Sequence, residues 1–460
     1  MEFDRRKFLE LGALGLGGLS FSSFLSSCLK KESVLGQQFD QVIFITTNGG
    51  LSHLDSFDYK PKLEKYHGNS IQLQTKNGLS NARIIKSPFK FKQYGESGKW
   101  VSEVFPKLAG IVDQLTFVHS MTANSPNHTR ALSLMNTGTS IPGYPSVAGR
   151  IIQNIGTRNK QLPGFFVLLD SSKSFPVNGE HNWRSSLISP QFNGVVIPSS
   201  GQPMADLRKL SSLQLKEQRE QIKLLTELNS IYNQKNDFAA KLEGRSQLFS
   251  LALESQTEIL KTLDTSSESQ ATKNLYGLEQ KPTHHLAKQL IRARRLVENG
   301  VRFVQVYTGG ANTDDSWDFH EDVAAHKKMA EGSDRPIAAL ISDLKQRGLL
   351  EKTLVVCAGE FGRLPTEDSD SANKGHTGRD HNASAFTLFM AGGNLRPGFS
   401  LGSSDEIGLS VEKNPISYHD IHATIFQSLG IDLATLKGQQ NDPILDFIKK
   451  QGRSIDQLFS

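Results

Sequence analysis

The sequence predicts an α/β fold: a doubly wound, largely parallel central sheet flanked by helices, with a long helical insertion. Three observations predict it. Short apolar runs without strict alternation recur along the chain, helical patterns separate many of them, and nearly every unusual polar cluster follows one of the runs. Strands covered by helices on both faces read as unbroken apolar segments. In open α/β sheets, ligands collect beyond the carboxyl ends of such strands.

The first 28 residues read as an address outside the fold. Arg5-Arg6-Lys7-Phe8-Leu9 is a twin-arginine pair followed at once by bulky apolar residues, and 11–25 is an apolar run diluted by glycine and serine. That run is shorter than the ~20 strongly apolar residues of a spanning helix, and too glycine-rich for a stable one. Export in the folded state is the expectation, to the periplasm or the cell surface. Leu25-Ser26-Ser27-Cys28 resembles a bacterial lipobox, in which the cysteine is lipidated and becomes the new N-terminus; a plain small-residue cleavage site is the alternative. Acyl chains on Cys28 would anchor the protein to a membrane without spanning it. Residues 29–38 read as a tether and 39–460 as one large domain.

Within that domain, strands are expected at 41–47, 115–119, 165–169, 301–307, 353–358 and 386–391, all rich in Val, Ile, Leu and Phe. A helix over 286–299 stops at Glu298-Asn299-Gly300. Another is expected over 336–347, with Pro336 in its first turn. His326, ahead of it, reads as a surface residue. Between 205 and 282 the pattern changes to leucine and isoleucine at helical spacing on a Lys, Glu and Gln background. A helical hairpin packed on the sheet or capping the site is expected there, with a partner-binding arm as the alternative.

Composition narrows the function. With 37% hydrophobic and 22% charged residues the chain can bury a full core. The net charge of +5 is spread out, with no arginine-rich arm, which argues against nucleic acid as a partner. Of the two cysteines, Cys357 lies in an apolar run and reads as a small core hydrophobe.

The polar clusters follow in order. After the first strand come Asn48-Gly49-Gly50 and then His53 and Asp55, two apart, either a capped loop or part of a cation site. After the second come Asn127-His128-Thr129-Arg130, a helix start whose N–H groups and arginine fork suit an anion, or which is simply capped. After 301–307 come Asp318 and His320, oxygen and nitrogen donors suited to zinc or a similar ion; a turn with a surface histidine is the alternative. After 353–358 come Glu360 and Arg363, then Arg379-Asp380-His381 just before the next strand. Charges there need partners, which favours function for Glu360 and His381.

These motifs, together with the 294–304 segment, resemble in their order the alkaline phosphatase and sulfatase superfamily. More narrowly, they resemble a bacterial, twin-arginine-exported, sulfatase-like family whose domain is of unknown function. The resemblance spans nearly the whole chain. It implies an alkaline phosphatase-like fold and phosphoryl or sulfuryl transfer at divalent metals. The 124–138 segment is similar to the sulfatase signature, but His128 stands where the modified cysteine would be, so formylglycine chemistry is excluded. Thr129 is the next candidate nucleophile. The superfamily's first acidic ligand is replaced by Thr47-Asn48, and its Asp-His-Gly by Glu360-Phe361-Gly362. A two-zinc site therefore does not carry over intact. The tail at 418–426 resembles the superfamily's late helix, with Asp420 read as its N-cap.

The expectation is a metal-dependent hydrolase acting on an anionic small molecule or surface polysaccharide. One metal, zinc first and manganese or calcium otherwise, is expected on some of His53, Asp55, Asp318, His320, Glu360 and His381. Asp318, His320 and His381 lead as ligands, and Glu360 is a ligand or general base. Arg130, Arg363 and Arg379 would hold the anion; Thr129, next to His128, or a metal-bound water would attack. The alternative is a non-catalytic surface lipoprotein that binds glycan or a protein partner.

Overall fold

Residues 41–47 form strand β1 (Gln41–Thr47), in which every residue is buried. The computed structural model describes residues 36–75, 78–170, 175–200, 212–233, 258–311, 315–368, 377–436 and 452–460, all within one unit, Leu35–Ser460. The targeting segment, Cys28, most of the tether and residues 205–211 and 234–257 of the expected hairpin lie outside the described residues. No described helix is long and apolar enough to cross a membrane.

The strands that pair with β1, directly or in turn, are β2 (Thr116–Thr122), β3 (Phe165–Leu169), β4 (Val195–Pro198), β5 (Phe303–Thr308), β6 (Thr353–Ala358), β7 (Phe386–Ala391), β8 (Ser400–Leu401) and β9 (Ile416–Ser417). Their order is β8-β2-β7-β6-β1-β5-β3-β4, with β9 beside β2. Only β7 runs against the rest. The fold class is α/β with a largely parallel central sheet. The six expected strands are present. Strand β4 was not expected, because an edge strand of four residues, only Ile197 of them fully buried, carries too short an apolar signal.

Successive residues of β1 serve opposite faces of the sheet. Ile43 and Ile45 join Val304, Val306 and Val355 in one core, with helices α4 (His284–Glu298) and α5 (His326–Gln346) over it. Val42 and Phe44 join Leu354 and Val356 in the other, under α1 (His128–Thr137), α2 (Val147–Ile155) and α6 (Tyr418–Ser428). Each such side chain contributes roughly 1.5–3 kcal/mol on burial, which is why strands covered on both faces need no polar alternation. Cys357 lies in the first core, its thiol pushed up by burial.

Three local expectations are corrected. Helix α5 begins at His326, and Pro336 lies inside it. The proline removes one backbone hydrogen bond, but Ile337, Leu340, Ile341 and Leu344 bury the same face and carry the helix through. His326 is consequently core, not surface: its ring packs on Trp317 at 4.9 Å and its Nε2 is 3.1 Å from Ser56 Oγ. Third, Ser417 caps α6, and Asp420, at the third helical position, closes a capping box.

In the insertion, α3 (Ser212–Asn233) leaves Leu224, Leu225, Leu228 and Ile231 exposed. The segment at 258–282 is docked on α4 through Glu268, whose Oε1 pairs with Arg294 at 2.6 Å and Arg295 at 2.7 Å.

Buried histidines set an acid limit to stability. Burial lowers His53 and His326 to about 4 and His422 to about 3. A folded value below the unfolded one means stability present above pH 6.5 and lost as pH falls through 4. Urea titrations are expected to show a loss on the order of several kcal/mol over that window. A flat profile would contradict it.

Candidate metal centre

Parallel strands that end level bring their following loops together. Thr47 of β1 pairs with Thr308 of β5, and Thr46 with Ala358 of β6. The loops carrying Gly49, Asp318 and Glu360 therefore leave from one edge. Strand β2 runs the same way and delivers His128 at the start of α1, which Asn127 caps by accepting from the Arg130 N–H. Because β7 is reversed, the residues that reach this edge are those before it. His381 arrives that way, paired in a two-residue ladder with Arg363.

Glycine permits the close approach of these loops. A Cβ on Gly49, at φ 108°, would lie 2.6 Å from the Asp318 nitrogen. Gly378 packs on the main chain of His320, and a Cβ there would overlap the His320 carbonyl. Gly378→Ala is expected to displace His320, costing about 1–3 kcal/mol and weakening metal binding. Thermal melts and a zinc titration check this; wild-type values in both would refute it.

Three imidazoles surround the Asp318 carboxylate, each with Nδ1 turned outward to an acceptor. His128 Nδ1 is 2.7 Å from Glu360 Oε1, His320 Nδ1 is 2.6 Å from Asp368 Oδ2, and His381 Nδ1 is 2.7 Å from the Pro126 carbonyl oxygen. Carboxylates and carbonyls accept, so the ring proton sits on Nδ1 in each neutral imidazole and the Nε2 lone pair faces inward. His320 Nε2 and His381 Nε2 are 2.9 Å apart, and lie 2.9 and 3.0 Å from Asp318 Oδ1. His128 Nε2 lies 3.2 Å from Asp318 Oδ2. Nitrogens and oxygens so close to one another are satisfied by protons carried on the rings or by a metal ion in their place.

Protons on His128 and His320 supply the positive charge that the carboxylate needs. Burial alone would raise Asp318, yet hydrogen bonds from the three histidines and the charge of Arg363 hold it well below the carboxylate range. Burial opposes charge on His128, but Asp318 and Glu360 outweigh it and raise His128 to about 9. The same contest, with Asp318 and Asp368, raises His320, whereas burial wins at His381 and lowers it. All four side chains keep some exposure, from 15% at His381 to 28% at His320, so solvent reaches the cluster.

Other expected site residues are engaged differently. Glu360 is buried; its Oε1 accepts from Gly49 N–H at 2.9 Å, and Oε2 has no partner. Arg363 donates to the carbonyls of Gly49, Gly50, Trp317 and Arg379 and to Asp318 Oδ1 at 2.6 Å, tying three loops together. Arg379 is fully buried against Asp55, Nε to Oδ2 at 2.8 Å. Both guanidiniums act as internal clamps, because their donors are spent on carbonyls and carboxylates. Asp55 is thus held by Arg379, and His53 Nε2 is 3.0 Å from the Gly408 carbonyl oxygen; neither meets the three-histidine cluster. Thr129 and Arg130 are exposed in the first turn of α1. Two partners escaped the sequence reading: Asp368 and the Pro126 carbonyl. No spacing rule signals either; Asp380, in a motif already noted, also offers an oxygen beside His320 and His381.

A family model described as "Protein of unknown function (DUF1501)" matches residues 40–459. A comparison with curated proteins found no match. Among solved structures, the chain is similar to the phosphonate monoester hydrolase from Silicibacter pomeroyi, with 11% identity, TM-score 0.36, and 76% of this chain and 73% of that one covered. It is also similar to a His-to-Glu mutant of TAB5 alkaline phosphatase with Mg bound, at 10% identity and TM-score 0.37, over 86% and 99% of the two chains. A third is the zinc complex of the C-terminal periplasmic domain of EcEptC from Escherichia coli, at 9% and 0.37, over 88% and 86%.

Proposed function

The chain belongs to this DUF1501 family, and from that premise we propose that it is a metal-dependent hydrolase of phosphate or sulfate esters, or of a related anionic group on a surface polymer. One observation carries the reading: three Nε2 atoms converge on one carboxylate, each imidazole fixed by an outer acceptor. Asp318, His320 and His381 would hold the ion. Two nitrogens and one oxygen suit zinc, then manganese; calcium prefers oxygen donors. When bound, such an ion supplies charge neutralisation at the anionic group.

The remaining roles belong to the chain. His128, braced by Glu360, is the group to protonate the leaving oxygen from Nε2. The exposed N-terminus of α1 and Arg130 face the anion, and Thr129 or a water is the nucleophile. Arg5-Arg6 and Cys28 support export by the twin-arginine route and a lipid anchor at the periplasmic or outer surface.

A second reading, a non-catalytic surface lipoprotein that binds glycan or a protein partner, is favoured by the engagement of Arg363 and Arg379, which leaves the anion few grips. Metal analysis of the purified protein, with aryl phosphate and aryl sulfate assays, decides between them. Stoichiometric zinc or manganese with turnover supports the hydrolase. A metal-free, inert protein supports the alternative.

A further inference from the structure

Asp368 is set more firmly than a surface loop residue. Ile84 bridges Thr366, Glu367 N–H donates to the Arg83 carbonyl at 2.9 Å, and Asp368 N–H donates to the Gly378 carbonyl at 2.9 Å. The main chain therefore delivers its carboxylate from two sides, at 7% exposure, to the outer nitrogen of His320. Its counterpart at His381 is a neutral carbonyl. A carboxylate on the outer N–H fixes the tautomer and makes the inner nitrogen a stronger donor; a carbonyl fixes the tautomer with less effect on basicity.

We infer that Asp368 is a positioning residue that holds His320 as its Nδ1–H tautomer and makes His320 the stronger imidazole donor of the centre. This rests on reading Asp318, His320 and His381 as ligands. The ion is held by nitrogen lone pairs whose direction depends on the ring's outer hydrogen bond. Losing that bond frees the ring to rotate and to protonate Nε2, which cannot then coordinate. The backbone contacts do not involve the carboxylate, so Asp368→Ala leaves them in place.

The test is calorimetric titration of the full chain with zinc alone, for wild type, Asp368→Ala and Asp368→Asn, beside ¹⁵N spectra of the histidine rings in zinc-free protein at alkaline pH. Asp368→Ala is expected to weaken zinc binding about 10–100-fold, with a wild-type circular dichroism spectrum before zinc is added. Asp368→Asn, whose neutral amide oxygen still accepts, is expected to keep the tautomer and recover only part of that loss. In the spectra, His320 is expected as Nδ1–H in wild type and as a tautomer mixture in Asp368→Ala. Wild-type affinity in Asp368→Ala overturns the inference while leaving the metal centre standing. If wild type binds no zinc, the hydrolase reading fails by itself, and the ring spectra decide Asp368: an unchanged His320 tautomer in Asp368→Ala overturns its role.

Discussion

Combining His320→Ala with His381→Ala is expected to abolish zinc binding and reduce any ester hydrolysis to background, while the protein stays folded. The two rings supply two of the three donor atoms that meet within about 3 Å of one another. An outer partner of a ligand is worth about 10–100-fold in affinity, so two direct ligands must be worth more. Neither side chain belongs to the hydrophobic core. Zinc at 1,000 times its dissociation constant should stabilise wild type by about 4 kcal/mol and leave the double variant unmoved. Melting with and without zinc, with metal analysis, reads both effects. Zinc retained by the double variant would sink the assignment.

Asp55→Ala is expected to destabilise the protein by about 3–5 kcal/mol, because it leaves the Arg379 guanidinium buried without its counter-charge. Both side chains are shielded from solvent, at 0% and 1% exposure. The Arg379 charge pulls the Asp55 carboxyl down despite burial, which pushes the other way. The pair's stability is therefore present above the ordinary carboxylate range and lost as pH falls through the lower folded value. Replacing both partners, Asp55→Ala with Arg379→Met, should recover part of the loss, since an apolar pair of similar volume avoids the unpaired charge. Urea unfolding of the three proteins measures it. A single-variant cost under about 1 kcal/mol, the scale of an exposed pair, would show that water reaches Arg379.

The sheet was legible because its strands are buried on both faces and its helices end where glycine or a cap says they should. The reversal of β7 was not, since an apolar run carries no direction, and that reversal explains why His381 precedes its strand while Asp318 and Glu360 follow theirs. Pro336 misled for a local reason: its missing N–H reads as a helix start, yet the apolar face around it outweighs one lost hydrogen bond. Within the centre, Asp318 and His320 could be picked out as donors two residues apart. The partners of Arg363, Arg379 and Asp55 were not legible, because a buried charge pair and an anion grip use the same residues. Asp368 and the Pro126 carbonyl act through a ring's far nitrogen, a relation in space with no fixed separation along the chain.

Such separations have a consequence for assembly. His381 and Asp318 are 63 residues apart, His128 and Glu360 232, and His381 and Pro126 255. No short peptide of this chain carries a coordination sphere, so an ion cannot template the early stages of folding as it does in a zinc finger. Any filling of the proposed centre would then come after the chain has closed from residue 126 to residue 381, and a loaded centre would report that closure.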